Sequence, residues 1–220
     1  MKFLFSLLSI CIALSSLQAQ NTIIDSADDK NVKFEKVEIE AYYPGGTEAW
    51  RDFLTQNLKA NIPVKNGAPI GRYDVYIQFV VNKNGDITDI KPLTHYGYGM
   101  EEEVIRIIKK TGKWNPAVQD GRPVNAYRKQ PVTFMVTDDN IQIESEKPYR
   151  LFTNRINEIT IKARKVKPED ITLTISPGTA KPLGEGRFSI KVTKPGKTTA
   201  IVYGKNGKTI ATINFEAAPE

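Results

Sequence analysis

Few side chains in this 220-residue chain could do chemistry on a substrate or a metal. It has one cysteine, Cys11, and one histidine, His95, which excludes a disulfide framework, a zinc finger, a histidine metal cluster and a cysteine protease. A serine nucleophile would need His95 beside it, and no motif supports that arrangement. Asp138 and Asp139 stand together without a partner base. We therefore predict no catalytic residues, no metal site, no cofactor and no enzyme activity.

Three oxygen-bearing side chains, Asn82, Asn84 and Asp86, have the spacing of the first ligands of a calcium-binding loop. The glycine of such a loop is misplaced here, because Gly85 holds the fourth position instead of the sixth, and the twelfth position carries no glutamate. Asn84-Gly85 is also the dipeptide that favours the type I′ turn of a β-hairpin. The sequence favours a hairpin turn over a calcium loop.

Hydrophobic periodicity predicts the elements that surround this turn. Alternating apolar residues indicate strands, and apolar stripes at helical spacing indicate helices. The predicted strands cover 37–43, 72–81, 87–93 and 132–136, and the predicted helices cover 47–59 and 100–111. Trp50 and Trp114 are expected to pack in the core. Together these elements predict an α+β fold, an antiparallel sheet with helices on one face.

The residues after 148 change in character. Short β-type runs separated by proline and glycine turns predict a small all-β, Ig-like sandwich. The net charge is −3 over residues 20–146 and +8 over residues 147–220, which also suggests two modules. Lys162, Arg164, Lys165 and Lys167 crowd one region of the basic tail. They predict either contact with an anionic envelope surface or an ordinary solvated surface, and nucleic acid is not expected as a partner.

Residues 1–19 have the pattern of a secretory signal peptide, with Lys2, an apolar stretch and small residues up to Ala19. Export to the periplasm is therefore expected. An uncleaved signal anchor in the inner membrane, facing the periplasm, and a lipoprotein signal at Cys11 are the alternatives. The remaining chain divides into a lead segment (20–41), the α+β domain (42–137), a linker (138–148) and the sandwich (149–220).

The α+β domain carries a family resemblance in the spacing of its hairpin, helix, Trp-x-Pro motif and closing strand. Over residues 42–137 it resembles the C-terminal domain of TonB proteins, with structural motif positions at Pro63, Gly71, Gly85, Trp114 and Pro116. The tail is similar to a β-sandwich domain of the gliding-motility and secretion protein GldM. The motifs that carry this second resemblance lie between Tyr149 and Phe215 and include Pro168-Glu169-Asp170 and Gly184-Glu185-Gly186.

The TonB resemblance implies that the closing strand binds an extended segment of an outer-membrane protein as an added strand. The corresponding peptide-binding residues are Arg128, Lys129, Gln130, Val132, Thr133, Phe134, Met135 and Val136. Pro131 cannot donate a ladder hydrogen bond, which predicts an edge or a bulge there and limits strand addition to one side of it. The same proline would also suit an edge that is protected against aggregation or covered by the tail.

Residues 20–31 alone separate the predicted signal peptide from the first predicted strand, whereas the energy transducers of this family have a membrane anchor and a long proline-rich spacer. We therefore expect a periplasmic binding or adaptor protein without energy transduction of its own. Its partner would be an outer-membrane transporter or a secretion component. The alternative is a structural scaffold of a gliding- or secretion-type envelope assembly, in which the α+β domain forms an intramolecular or homodimeric sheet.

Overall fold

The computed structural model describes residues 32–220, so the predicted signal peptide, its two alternatives and residues 20–31 of the lead segment lie outside the described residues. Residues 33–220 form one compact unit. Its first half contains α1 (Gly46–Asn57), α2 (Ile62–Lys65), β1 (Ile70–Val81), β2 (Ile87–Pro92), α3 (Met100–Lys110), β3 (Ala117–Gln119), β4 (Arg122–Val124) and β5 (Ala126–Val136). Its second half contains β6 (Ile141–Ser145), β7 (Arg150–Phe152), β8 (Ile156–Ala163), β9 (Thr172–Ser176), β10 (Thr179–Gly184), β11 (Arg187–Lys191), β12 (Gly196–Tyr203) and β13 (Thr209–Ala218).

Strand β1 is the centre of the first sheet because it has neighbours along both edges. On one edge β5 pairs with it antiparallel, from Gly71 opposite Val136 to Val81 opposite Ala126. On the other edge β2 pairs antiparallel with its C-terminal end. Every second side chain of β1 enters the core and packs with residues of α1 and α3, namely Tyr73, Val75, Ile77, Phe79 and Val81. The predicted α+β fold is confirmed.

Helix α3 follows its sequence pattern closely. Its apolar stripe is fully buried and consists of Met100, Val104, Ile107 and Ile108. Acidic side chains occupy its first turn and basic ones its last, which suits the helix dipole. Glu101 is nevertheless buried, because its carboxylate accepts hydrogen bonds from the main-chain N–H groups of Tyr96 (2.8 Å) and Gly97 (3.2 Å). The carboxylate thus fixes the loop between β2 and α3.

The second half folds as a β-sandwich, as predicted. One sheet has the strand order β10-β11-β8-β6, and the strands β13, β12 and β9, with β7 beside β13, form the opposing layer. Their inward side chains make a separate apolar core that includes Leu151, Ile161, Ile190, Val202 and Ile213. Asn206 and Gly207 both have positive φ in the turn between β12 and β13, a conformation that the Asn-Gly dipeptide favours.

The two halves share a sheet. Strand β13 runs parallel to β1 at its N-terminal end, with Ile70 opposite Ile213 and Gly71 opposite Asn214. This contact uses the β1 edge that also carries β2, so β5 remains on the opposite edge. A Cβ atom on Gly71 would lie 2.8 Å from the main-chain oxygen of Asn214, which explains why this approach of the two strands needs a glycine.

Two stretches differ from the sequence-based expectations. Within the predicted linker, Ile141–Ser145 forms β6, which pairs antiparallel with β8 and buries Ile141. The predicted strand over 37–43 is replaced by two isolated bridges, from Ile39 to Val118 and from Tyr42 to Asn115. Pro116 lies between the two partner positions and has no N–H to donate, so a continuous ladder does not form there.

Candidate functional site

The closing strand β5 is longer than predicted and is paired fully along one edge. Its inner edge is bonded to β1 over the whole strand. On its outer edge the lead segment makes one short contact, in which Phe34 donates its N–H to Asn125 O (2.9 Å) and accepts the N–H of Tyr127 (2.9 Å). The lead segment then turns away towards residues 115–118. Beyond Tyr127, no described residue pairs with the outer edge of β5.

The register shows which backbone groups face outward. In an antiparallel ladder, the N–H and C=O of successive residues point alternately to the two sides of a strand. Since Tyr127 bonds outward to Phe34, the same parity turns the backbone groups of Lys129, Pro131, Thr133 and Met135 outward. Pro131 therefore lies where its missing N–H costs no bond to β1. The Pro131 carbonyl accepts a hydrogen bond from Gln130 Nε2 at 3.3 Å.

The predicted peptide-binding residues separate into two groups by this parity. The side chains of Gln130, Val132, Phe134 and Val136 are buried, and their backbone groups face β1. The side chains of Lys129, Thr133 and Met135 are exposed on the other face of the sheet. The first group is therefore part of the fold, and the second group carries the backbone atoms that a guest strand would meet.

An aromatic groove of about 420 Å³ lies beside the first half of β5, on the face that α1 covers. Its walls are Tyr42, Tyr43, Gly46, Thr47, Trp50, Trp114, Arg128, Gln130 and Pro131. The rings are packed against one another, with 5.5 Å between the centroids of Tyr43 and Trp50 and 5.8 Å between those of Trp50 and Trp114. Both tryptophans are buried as predicted, whereas the Tyr42 side chain is 47% exposed.

Arg128 lies at the end of the aromatic groove and was predicted as a binding residue. Its side chain is about three-quarters buried, and one terminal nitrogen pairs with the exposed carboxylate of Glu40. Its Nε atom is buried and has no hydrogen-bond partner among the described residues. Burial lowers the pKa of this guanidinium. The groove therefore ends in a largely buried cation that has one carboxylate partner among the described residues.

The predicted structural motif residues support the fold around the site. The carbonyl of buried Pro63 accepts the Ala68 N–H at 2.9 Å, and Pro116 is partly buried. The Gly85 carbonyl accepts the Trp114 N–H at 2.9 Å, and Trp114 Nε1 donates to Thr111 Oγ1 at 2.9 Å. This ties the hairpin turn to the Trp-x-Pro segment, which forms one wall of the groove.

The turn over Asn82–Asp86 uses its own oxygen atoms. Asn82 Oδ1 accepts the N–H groups of Asn84 and Asp86, both at 2.9 Å, and Asp86 pairs with Lys113 at 2.9 Å. In residues 32–220, no group of three or more His, Cys, Asp or Glu side chains is arranged to hold a metal ion. No helix of the described part of the chain is long and apolar enough to cross a membrane.

In the basic region of the tail, Lys162 pairs with Glu144 at 2.5 Å and Lys167 lies 3.8 Å from Glu169. Arg164 and Lys165 are both exposed in the same region. Nearby carboxylates thus offset part of the positive charge that the sequence places in this region. Contact with an anionic surface stays a prediction.

Comparison with known families bears on both halves. Residues 74–136 match the family described as Gram-negative bacterial TonB protein C-terminal, and residues 140–217 match the family described as GldM third domain. A search of curated proteins found no match. Both resemblances drawn from the sequence are confirmed, and they support a TonB-like, gliding-type family of envelope proteins. The chain therefore carries a TonB C-terminal-type region followed directly by a GldM third-domain-type region.

Proposed function

We propose that this is an exported, periplasm-facing adaptor that captures an extended segment of an outer-membrane transporter or secretion component. The segment adds to the outer edge of β5, beside Lys129, Thr133 and Met135. The observation that carries the proposal is the run of outward backbone groups after Tyr127, which has no strand partner among the described residues. Such a run gains hydrogen bonds when an extended chain lies along it.

The position of the tail supports this function. A sandwich packed on β5 would cover the edge, but β13 joins β1 on the opposite edge, beside β2. Among the described residues, the lead segment forms main-chain hydrogen bonds with this edge only at Asn125 and Tyr127, and Glu40 adds a side-chain ion pair with Arg128. The sequence alone predicts strand addition on one side of Pro131 only, whereas the guest strand proposed here runs along both sides. It loses one bond at Pro131, which lacks an N–H, and accepts hydrogen bonds from the N–H groups of Lys129, Thr133 and Met135.

The experiment is a titration of ¹⁵N-labelled protein, residues 20–220, with synthetic peptides from the N-termini of candidate transporters. We expect saturable shifts of the amide signals of Lys129, Thr133 and Met135. The decisive variant is Met135→Pro, which removes one outward N–H and leaves the bonds to β1 intact. It should weaken binding about fivefold, the equivalent of about 1 kcal/mol for one hydrogen bond.

Met135→Ala is the matched control, because it removes the same exposed side chain and keeps the N–H. It should bind nearly as well as the unchanged protein. If both variants lose affinity equally, the side chain and not the backbone makes the contact, and strand addition at this position is wrong. Absence of shifts at millimolar peptide would reject the proposed site as a whole.

A structural scaffold is the second candidate function. It is supported by the sheet that continues from the α+β domain through β13 into the sandwich, so that residues 33–220 form one compact unit. In that case the outer edge of β5 would pair with the same edge of a second copy. Sedimentation velocity separates the two functions. A dimer whose population rises with protein concentration and does not change when peptide is added supports the scaffold.

Contact of the basic tail with an anionic envelope surface is a further part of the proposal. It rests on the net charge of +8 over residues 147–220. Binding to vesicles that contain an anionic lipid should disappear at high salt, because exposed charges are screened beyond about 8 Å at physiological ionic strength and over shorter distances at higher salt. Binding that survives high salt would contradict an electrostatic contact.

A further inference from the structure

We propose that a second binding site, for a dipeptide with a free ammonium and a free carboxylate, lies where strands β1 and β13 separate. The site is a cavity of about 300 Å³, and the residues that line it include Asp74, Tyr96, Tyr149, Arg150 and Glu216. It lies along the edge of β1 that faces away from β5, so it is distinct from the strand-addition site.

The cavity lies at a gap in the pairing of β1. Along this edge, β13 pairs with β1 up to Gly71, and β2 pairs with it from Ile77 onward. The carbonyl of Tyr76 accepts the Leu93 N–H at 2.8 Å, so the backbone groups of Tyr76 point to this edge. Those of Asp74, two residues earlier, point to the same edge, and no strand of the described chain lies opposite them there. The peptide bond of a ligand would supply the missing partner.

The opposite wall of the cavity is the turn that leads into β7. Its backbone is held by two hydrogen bonds, from the Glu216 N–H to Tyr149 O at 2.9 Å and from the Arg150 N–H to Lys147 O at 3.1 Å. Tyr149 has a φ of 58°, which is rare for a residue with a bulky side chain. Such backbone conformations are concentrated at sites that bind ligands. The wall is therefore ordered in the absence of a ligand.

Two opposite charges at the cavity have no ion pair. Arg150 lies opposite Glu216 in the register of β7 and β13, and neither side chain forms an ion pair with a described residue. Burial raises the pKa of Glu216, although Arg150 acts in the opposite direction. Neighbouring strands lie about 4.8 Å apart, and the ends of an extended dipeptide lie about 7 Å apart. One dipeptide can therefore place its carboxylate at Arg150 and its ammonium at Glu216.

Two tyrosine rings give the cavity an apolar wall. The ring of Tyr96 packs on that of Tyr73, with 5.3 Å between the centroids, and the ring of Tyr149 lies 6.5 Å from that of Phe215. Contact with an apolar side chain removes aromatic surface of this kind from water. The volume is at the lower end of the range for small-molecule sites, about 300 to 1,000 Å³. A dipeptide with an apolar side chain fits both properties.

The test is a titration of the ¹⁵N-labelled protein, residues 20–220, with the dipeptide Ala-Leu. We expect saturable shifts of the amide signals of Asp74, Tyr149 and Glu216. Three matched ligands are compared by calorimetry: the N-acetylated dipeptide lacks the ammonium, the C-amidated dipeptide lacks the carboxylate, and free leucine lacks the peptide bond. Each should bind at least about fivefold more weakly than Ala-Leu, because each loses a polar contact.

Two pairs of protein variants locate these preferences. Arg150→Gln should abolish the preference for Ala-Leu over its amide, and Glu216→Gln should abolish the preference over the acetylated form. Arg164→Gln and Glu185→Gln remove the same charges from exposed positions that do not line the cavity, and they should keep both preferences.

Several outcomes would overturn the inference. Absence of shifts at millimolar Ala-Leu would reject the site, and shifts at Lys129 and Met135 instead would place the dipeptide on β5. Equal binding of the acetylated or amidated form would show that the corresponding charge is not recognised, and equal binding of leucine would reject a dipeptide as the ligand. Loss of a preference in Arg164→Gln or Glu185→Gln would reduce it to an effect of net charge. None of these results bears on capture of an extended segment by β5, which is tested separately.

Discussion

Removing the hydrogen bond between Tyr73 and Asn214 is the strongest test of how the two halves of the protein are joined. The Tyr73 ring is 1% exposed, and its hydroxyl donates to the Pro69 carbonyl at 2.7 Å and accepts from Asn214 Nδ2 at 3.0 Å. Tyr73→Phe keeps the ring and its edge contact with Tyr96, whose centroid lies 5.3 Å away. The variant leaves the partly buried Pro69 carbonyl and the buried Asn214 amide without this partner. At about 1 kcal/mol for each bond, with an added penalty for unpaired buried groups, the loss of unfolding free energy should be about 2 to 3 kcal/mol.

Urea denaturation of residues 20–220 measures this loss with two signals. Both tryptophans, Trp50 and Trp114, lie in the first half, so their fluorescence reports the unfolding of that half, and circular dichroism reports both. We expect coincident transitions at lower urea for Tyr73→Phe. Tyr76→Phe removes a hydroxyl from an exposed side chain on the opposite face of β1 and should leave the free energy of unfolding unchanged. A loss below about 0.5 kcal/mol for Tyr73→Phe would show that the bond does not hold the two halves together.

The pH dependence of the same bond gives an independent signal. Burial raises the pKa of the Tyr73 hydroxyl to about 12, although the hydrogen bond from Asn214 acts in the opposite direction. A raised pKa in the folded state means that the stabilising contribution is complete below the ordinary value of 10.0 and is lost as the pH rises towards 12. Tyr73→Phe should therefore lose less stability across this alkaline interval than the unchanged protein does. An identical alkaline decline in both would contradict the assignment.

Two further predictions concern the first half. Gly85→Ala should destabilise the protein by several kcal/mol more than Gly112→Ala. Both positions have positive φ, but a Cβ on Gly85 would lie 2.2 Å from the Trp114 carbonyl oxygen, whereas nothing lies within 4 Å of a Cβ on Gly112. Equal melting temperatures of the two variants would contradict this prediction. Burial alone would raise the pKa of Glu103, but hydrogen bonds from Arg106 and from a main-chain N–H of the α1–α2 loop lower it below 4.5. Its stabilising contribution is therefore present above that pH and is lost as the pH falls further, so Glu103→Gln should show a flatter acid-denaturation curve, and an unchanged curve would exclude this role.

Elements with strong periodicity were predictable from the sequence. Strand β1 and helix α3 were predicted within two residues of their ends, because alternation and a helical stripe reflect the burial that each achieves. Periodicity predicted strand β5 only over 132–136, and the TonB resemblance extended this edge strand back to residue 128. Its first half carries Arg128, Lys129 and Pro131, which have no apolar alternation, and it is a strand because β1 offers partners along its whole length. Pairing with a neighbour thus outweighed local preference there.

The conformation of the turn between β1 and β2 could not be predicted from its dipeptide. Asn84-Gly85 predicted a type I′ turn with positive φ at both residues, and this prediction is wrong because only Gly85 has positive φ. The loop instead closes with Gly85 N–H donating to Asn82 O at 2.8 Å and Asn82 N–H donating to Asp86 O at 2.9 Å. The side-chain oxygen of Asn82 accepts two further N–H groups, which stabilises this longer loop. These contacts involve residues outside the Asn84-Gly85 dipeptide, so the dipeptide alone could not predict them.

The candidate site was predictable as a strand but not as a surface. Once β5 is known to be an edge, its parity follows from the Pro131 position alone, because proline is tolerated where no ladder bond is lost. The aromatic groove gathers Tyr42, Trp50 and Trp114 with Arg128 from distant parts of the sequence. Each of these residues has an ordinary local explanation as core or surface, so their proximity becomes apparent only in the folded chain.

The way in which the sandwich is attached determines which edge of the first sheet stays available. Strand β1 has two edges, and β5 occupies one of them completely. The other edge is divided between β2 at one end and β13 at the other, and the close approach of β13 depends on Gly71 having no side chain. A sandwich attached to β5 would have extended the sheet equally well in hydrogen-bond terms, but it would have removed the outward groups of Lys129, Thr133 and Met135. Because the tail joins the sheet at β1, the edge that we propose to accept another chain lies on the far side of the same sheet.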